Sequence, residues 1–293
     1  MDKVLVIGSG GLLGGALLRL GHDRYHMFGT YNTHKTEGNV FFHLDVTRRQ
    51  DVFRVLERVK PDVVIDTHAL HNVDYCETHP EETWLVNVEG TKNVAEASKR
   101  AGAKYVFIST DYIFDGKKQA YTEKDKPRPL NYYAKTKWAA ELILEALNIN
   151  YIIARSAVLY GQGGSGKVSF VLWMIDKLRN REQVNIITDQ HNNPTFVDNL
   201  AEILFKLCDI DVNGTFHITG TDCLSRYDYA LRIAKMFNLD RKLINPLTSP
   251  ELNQIAQRPE KVNMSTNKVE RVSGLKSVGV DEGLARLKKQ LGE

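Results

Sequence analysis

With 293 residues, 42% hydrophobic and 26% charged, the chain has the composition of a soluble globular protein that can bury a large core without staples. Its 39 basic and 36 acidic residues are interspersed and leave a net charge of +3, which gives no electrostatic footprint for nucleic acid. Cys76, Cys208 and Cys223 share no metal-binding spacing and read as reduced thiols, so neither a disulfide scaffold nor a bound metal is expected.

No leader pattern or membrane-length apolar run is present, and a cytoplasmic protein is expected. The chain opens on a continuous apolar strand, Val4-Leu-Val-Ile7, of the kind covered on both faces in a parallel sheet. Gly8-Ser-Gly-Gly-Leu-Leu-Gly14-Gly follows, then a helical pattern from Ala16 to Leu20. Strand, glycine-rich turn and helix form the setting of a dinucleotide fingerprint. Glycines let the backbone approach a pyrophosphate, and the helix N-terminus offers it free N–H groups.

A second strand is expected over Tyr25–Thr30, ending without the acidic residue that binds an NAD ribose. His34 or Lys35 beyond it suits the 2′-phosphate of NADPH, and NADH stays open. Asn39–Leu44 reads as a third strand, with Asp45 and Val46 at its end placed to meet an adenine; Asp45 reads equally as a helix cap. Pro61–Asp66 is the fourth, leading into Thr67-His-Ala-Leu-His71. His68 and His71 have no third ligand nearby.

Pro80–Ala101 reads as one long helix with Trp84, Leu85, Val88, Val94 and Ala97 on its apolar face, Asn87 beside that face and Gly102 as its stop. Tyr105–Ser109 is the fifth strand. A polar loop then leads to a helix over Tyr133–Leu147, with Trp138, Leu142, Leu144 and Leu147 apolar. Tyr151–Arg155 is a sixth strand. The alternation implies a Rossmann-type α/β fold, a doubly wound parallel sheet whose ligands bind at the strand carboxyl ends.

Past residue 155 the rhythm loosens. Gly161-Gln-Gly-Gly-Ser-Gly166 is either a plain linker or a lid. Helices are expected at Val168–Leu178, Phe196–Cys208, Ser225–Asn238 and Glu282–Leu291, with strands at Val184–Ile187 and Thr215–Thr219. Residues 1–155 are expected to form the cofactor domain. Residues 156–293 should form a smaller C-terminal substrate-binding lobe, with some segments returning to the first core.

Tyr133 and Lys137 are spaced to share one helix face. A carbonyl reduced by hydride leaves charge on oxygen, and a tyrosine beside a cation can meet it with a proton. Tyr132 has Thr136 where a lysine is needed. A strand-end hydroxyl, Ser109 or Thr110, can donate a second hydrogen bond to that oxygen.

In its N-terminal glycines, Val73-Asp74, Val86-Asn87, Ser109-Thr-Asp-Tyr-Ile-Phe-Asp-Gly116, Tyr133-x-x-x-Lys137, Arg155 with Tyr160-Gly161, Asp189-Gln190 with Pro194-Thr195, Gly214-Thr-Phe-His217 and Arg258-Pro259, the chain resembles the extended short-chain dehydrogenase/reductases, and more narrowly the dTDP-4-dehydrorhamnose reductase family. The resemblance implies NADPH- or NADH-dependent reduction of the 4-keto group of a nucleotide-linked 6-deoxysugar by a monomer or homodimer. Tyr133 would be the acid, Lys137 the ribose ligand and modulator of Tyr133, and Thr110 the carbonyl ligand. Gly8, Gly10, Gly11, Leu12, Leu13 and Gly14 would line the cofactor. So would Tyr31, Asp45, Val46, His68, Ala69, Leu70, Asn87 and Ser109. Asp111, Thr195 and Arg258 would bind substrate, Arg258 at the phosphates. Asp66-Thr-His-Ala-Leu70, Val158 and Ser169 depart from the family's pattern, mostly around the sugar. Two other readings are a non-catalytic subunit like the regulatory subunit of methionine adenosyltransferase, and a nucleotide-sugar epimerase or dehydratase that recycles NAD.

Overall fold

A computed structural model describes residues 2–33, 41–164 and 169–293. His34 and Lys35, part of the third strand's start, and residues 165–168, with the last glycine of the loop and the expected helix start at Val168, lie outside the described residues. The first half alternates strand and helix: β1 (Lys3–Ile7), α1 (Leu12–Gly21), β2 (His26–Tyr31), β3 (Phe41–His43), α2 (Arg49–Val59), β4 (Val63–Asp66), α3 (Val73–Thr78), α4 (Pro80–Trp84), α5 (Thr91–Ala101), β5 (Lys104–Thr110), α6 (Tyr132–Ala146) and β6 (Tyr151–Ser156). The second half is finer-grained. It runs β7 (Leu159–Tyr160), α7 (Phe170–Arg179), β8 (Val184–Ile187), β9 (His191–Asn192), β10 (Thr195–Phe196), α8 (Val197–Asp209), β11 (Gly214–His217), β12 (Leu224–Ser225), α9 (Arg226–Met236), β13 (Ile244–Leu247), α10 (Asn267–Ser273) and α11 (Val280–Gln290).

Seven of these strands form one parallel sheet in the order β11-β6-β5-β4-β1-β2-β3. Strand periodicity explains its two cores. Val4 and Val6 point to the face covered by α1, α8 and α10, and Leu5 and Ile7 to the face covered by α2, α5 and α6. This is the expected doubly wound α/β architecture. β11, α8 and α10 come from the second half of the chain yet complete the first core. A third core joins α7, α9, α11, β8 and β13. No described helix is long and apolar enough to cross a membrane.

The segment from Pro80 to Ala101 departs from the expected uniform helix. Leu85–Gly90 is a π-helical turn between α4 and α5. Its wider turn, with more residues per turn, shifts the face that follows. Trp84 and Leu85, expected inside, are 42% and 47% exposed, while Asn87 and Val88 turn inward. Leu142 of α6, also expected on an apolar face, is exposed. Gly102 does stop α5, in the left-handed conformation at φ 70°.

Candidate active site

β5 ends in Ser109 and Thr110, level with Ser156 at the end of β6. A 3₁₀ turn, Asp111–Ile113, follows; the Thr110 hydroxyl caps it by accepting from the Tyr112 N–H at 3.3 Å, and donates to Asp111 Oδ1 at 3.1 Å. α6 then starts over the same strand end. Buried Asn131 caps it, accepting from the Ala134 N–H at 2.9 Å and donating to the Gln257 carbonyl at 2.8 Å. Such a cap contributes about 1 kcal/mol and fixes where the first turn points. That turn carries Tyr133.

Burial, then the Asp111 charge, push the Tyr133 phenol upward, and the Thr110 hydroxyl pulls it down. Burial also pushes the Asp111 carboxyl up to about 7, with the Thr110 hydrogen bond and the Arg226 charge working against it. Asp111 Oδ2 has no hydrogen-bond partner among the described residues. Near neutrality this carboxyl therefore stands between its neutral and charged forms.

One turn on, Lys137 is fully buried, its ammonium 3.9 Å from the centre of the Phe107 ring. Burial pulls it down to about 8, opposed by the Asp66 and Glu141 carboxylates. Both carboxylates are held. Glu141 takes three hydrogen bonds from Arg155, two from Nε at 3.1 and 3.2 Å and one from Nη2 at 2.6 Å. Asp66 accepts from the Tyr105 hydroxyl and pairs with the His68 ring. Sequence reasoning missed Glu141, although its place one turn beyond Lys137 was the available signal.

The dinucleotide side fits the group its glycines imply. Gly8 has φ +76°, and a Cβ on Gly14 would lie 2.6 Å from Ser9 Cα. The first turn of α1 has no side-chain cap and no acidic residue, so its N–H groups are open to a phosphate near Gly10, Gly11 and Leu12. Leu13 sends its side chain into the core and has only backbone to offer. Gly163 and Gly164 pack on this turn; a Cβ on Gly15 would run into Gly164. Ser109 Oγ is buried with no hydrogen-bond partner among the described residues.

Asp45 is not the cap of α2, which starts at Arg49 after Arg48. It accepts from the Thr47 N–H at 3.0 Å and hydroxyl at 2.7 Å. Burial raises this carboxyl, but those bonds and Arg48 bring it below its usual range. Val46 is buried against Gly90, and Tyr31, half-buried at the end of β2, meets His43 edge-on. His68 has its ring turned inward, between Asp66 and the Val86 carbonyl at 3.1 Å. Asn87 holds both backbone groups of Leu70, at 2.8 and 2.9 Å, and reaches Thr136 Oγ1 at 3.2 Å, thereby fixing the His68-Ala69-Leu70 run.

A cleft of about 410 Å³ lies between residues 71–74 with Tyr112 on one side and the second half of the chain on the other. Its walls include Asp74, Tyr112, Phe170, Trp173, Arg226 and Arg258. Of the three expected substrate ligands, Arg258 is there, bound at both ends to Asp74 at 2.7 and 2.9 Å. Asp111 is not among the cleft walls; it lies next to the wall residue Tyr112, within reach of the Arg226 charge. Thr195 does not line the cleft. It is buried in β10, with its hydroxyl donating to the Asn193 carbonyl at 3.0 Å. Arg226 was not foreseen, though a cation opening a helix is a legible anomaly. Among the described residues no group of three His, Cys, Asp or Glu is placed to hold a metal.

The profile of the RmlD substrate binding domain matches residues 2–292. A dTDP-4-dehydrorhamnose reductase of Aggregatibacter actinomycetemcomitans is 31% identical over 287 residues, covering 94% of each chain. The crystal structure of a dTDP-4-dehydrorhamnose reductase from Bacillus anthracis in complex with NADP superposes with a TM-score of 0.89 at 30% identity, over 99% of each chain. Methionine adenosyltransferase 2 subunit beta of Rattus norvegicus is 31% identical, covering 92% of this chain and 81% of its own.

Proposed function

The chain belongs to the RmlD substrate binding domain family of extended short-chain dehydrogenase/reductases, and we propose that it is a cytoplasmic NADPH-dependent reductase of the 4-keto group of a nucleotide-linked 6-deoxyhexose. NADH is the alternative donor. When bound, the nicotinamide supplies hydride to the carbonyl carbon. One observation carries the reading: Thr110, Tyr133 and a buried, half-neutral Asp111 meet at the end of β5, between the glycine turn of α1 and the cleft.

The proposed work of the residues follows from their chemistry. Thr110 donates to the carbonyl oxygen and so favours the charge that develops there. Tyr133 transfers its phenolic proton to that oxygen. Lys137 supplies the positive charge that makes Tyr133 a better acid, and donates to the cofactor ribose. Asn87 keeps residues 68–70 in place along the cofactor. Residues 156–293 supply most of the substrate walls. Asp111, with a free oxygen, pairs with a sugar hydroxyl.

The subunit-beta relative makes a docking role the competing reading. Tyr133→Phe separates the two. On the reductase reading, NADPH oxidation with dTDP-4-dehydrorhamnose or a related nucleotide 4-ketosugar drops by roughly 10²–10⁴-fold, with NADPH affinity unchanged. Wild-type protein that binds NADPH yet turns over none of these sugars refutes the reductase reading.

A further inference from the structure

Two guanidinium groups line the cleft, and they are not equivalent. Arg258 is 9% exposed and closed upon the protein. Its Nη1 donates to Asp74 Oδ1 at 2.7 Å and to the Ala256 carbonyl at 2.6 Å, and its Nη2 to Asp74 Oδ2 at 2.9 Å. Three of the five N–H donors of an arginine are thereby committed, and two remain. The Asp74 carboxylate cancels its charge, and is held below its usual range mainly by that hydrogen bond.

Arg226 is the opposite case. Among the described residues no carboxylate lies within 4 Å of it, and its guanidinium stands 5.8 Å from the Phe170 ring centre. Its backbone is anchored, because the Arg226 N–H donates to the Gln190 carbonyl at 3.1 Å. The nearest acid in sequence, Asp228, is occupied by the Ser225 hydroxyl at 2.6 Å. Arg226 is also the first residue of α9, where a cation opposes the helix dipole. An unpaired cation held there, across the cleft from a guanidinium whose charge Asp74 already cancels, forms a positive end that an anion relieves.

We infer that Arg226 is the principal anchor for the diphosphate of the nucleotide sugar, and that Arg258, tied to Asp74, acts chiefly by positioning the cleft wall. The inference rests on the nucleotide-sugar reading above. It places the diphosphate between Arg226 and Arg258, with Phe170 and Trp173 beside it as flat apolar surface for the base. A planar fork suits a diphosphate better than a point charge does. The Arg226 charge also reaches Asp111, so the anchor and the reacting end communicate.

The test is calorimetric titration of dTDP and UDP, separately, into the full protein with NADPH bound, for wild type, Arg226→Gln and Arg226→Lys. Arg226→Gln is expected to weaken the better nucleotide by roughly ten- to hundredfold, with Arg226→Lys between it and wild type. NADPH affinity and melting temperature should hold in both variants. Equal affinity in wild type and Arg226→Gln overturns the anchor. If wild type binds NADPH but neither nucleotide, the nucleotide-sugar reading itself falls, a different outcome from the first.

Discussion

Replacing Asp111 by Asn should make the protein more stable, and increasingly so as pH rises. In the unfolded chain this carboxyl has its ordinary value of 3.8, whereas in the fold burial holds it at about 7. Between those values the unfolded chain has lost the proton and the folded chain keeps it. Stability therefore falls as pH climbs, starting near pH 4 and finishing above about 7. At about 1.4 kcal/mol per pH unit, the gap corresponds to about 4 kcal/mol. About 3 kcal/mol of it falls between pH 5 and pH 8.

Asparagine keeps the shape and has no proton to lose. Arg226 from α9, Tyr133 from α6, the Thr110 hydroxyl and Cys223 face the carboxyl. All four are retained in the variant, and Tyr133 and Cys223, both raised, stay protonated between pH 5 and pH 8, so the difference reports Asp111. Urea unfolding of both proteins, free of ligand, at pH 5 and pH 8 gives that difference directly. The gain of Asp111→Asn over wild type should be about 3 kcal/mol larger at pH 8. A gain that is the same at both pH values, within about 0.5 kcal/mol, refutes the reasoning. Turnover should fall in the same variant.

Lys137, lowered to about 8 by burial, gives a second pH signature. Its ammonium is the useful form, so kcat should decline as pH rises through about 8. In Lys137→Arg, whose guanidinium does not deprotonate, whatever activity remains should lack that limb; a rate profile from pH 6 to 10 checks both. Arg155→Leu leaves Glu141 buried without its partner, at a cost of about 3–5 kcal/mol. Urea unfolding should show that loss, and Glu141→Gln added to Arg155→Leu should recover part of it.

Where one element carries the information, the sequence was readable. β1, its glycine turn and α1 are contiguous, so their order alone places the cofactor turn. Tyr133 and Lys137 lie on one helix, whose pitch brings them to one face. What escaped was set by contacts across the fold. A helical wheel with constant pitch puts Trp84 and Leu85 inside; the π turn at Leu85–Gly90 puts Asn87 there instead. No local pattern in α6 pairs Glu141 with Arg155, because the partner arrives on β6. The openness of Arg226 is likewise invisible in sequence, since it depends on Asp228 being occupied and on Asp74 having chosen Arg258.

Overall identity does not choose between the two kinds of relative, since a reductase and a subunit beta are each 31% identical to this chain. The electrostatics of the site favour the reductase reading. Asp111 is a carboxyl that burial raises to about 7, and its Oδ2 has no partner among the described residues. Beside it stands a half-buried phenol, and one turn further along α6 a fully buried lysine, both pushed from their usual ranges chiefly by burial. Docking a partner from the outer surface gains nothing from these groups, and any drift to Asn at position 111 would stabilise the fold. The proposed chemistry at the end of β5 would give them a use, because a carboxyl near half-neutrality, a phenol and a strand-end hydroxyl have the groups needed to move a proton onto a carbonyl oxygen.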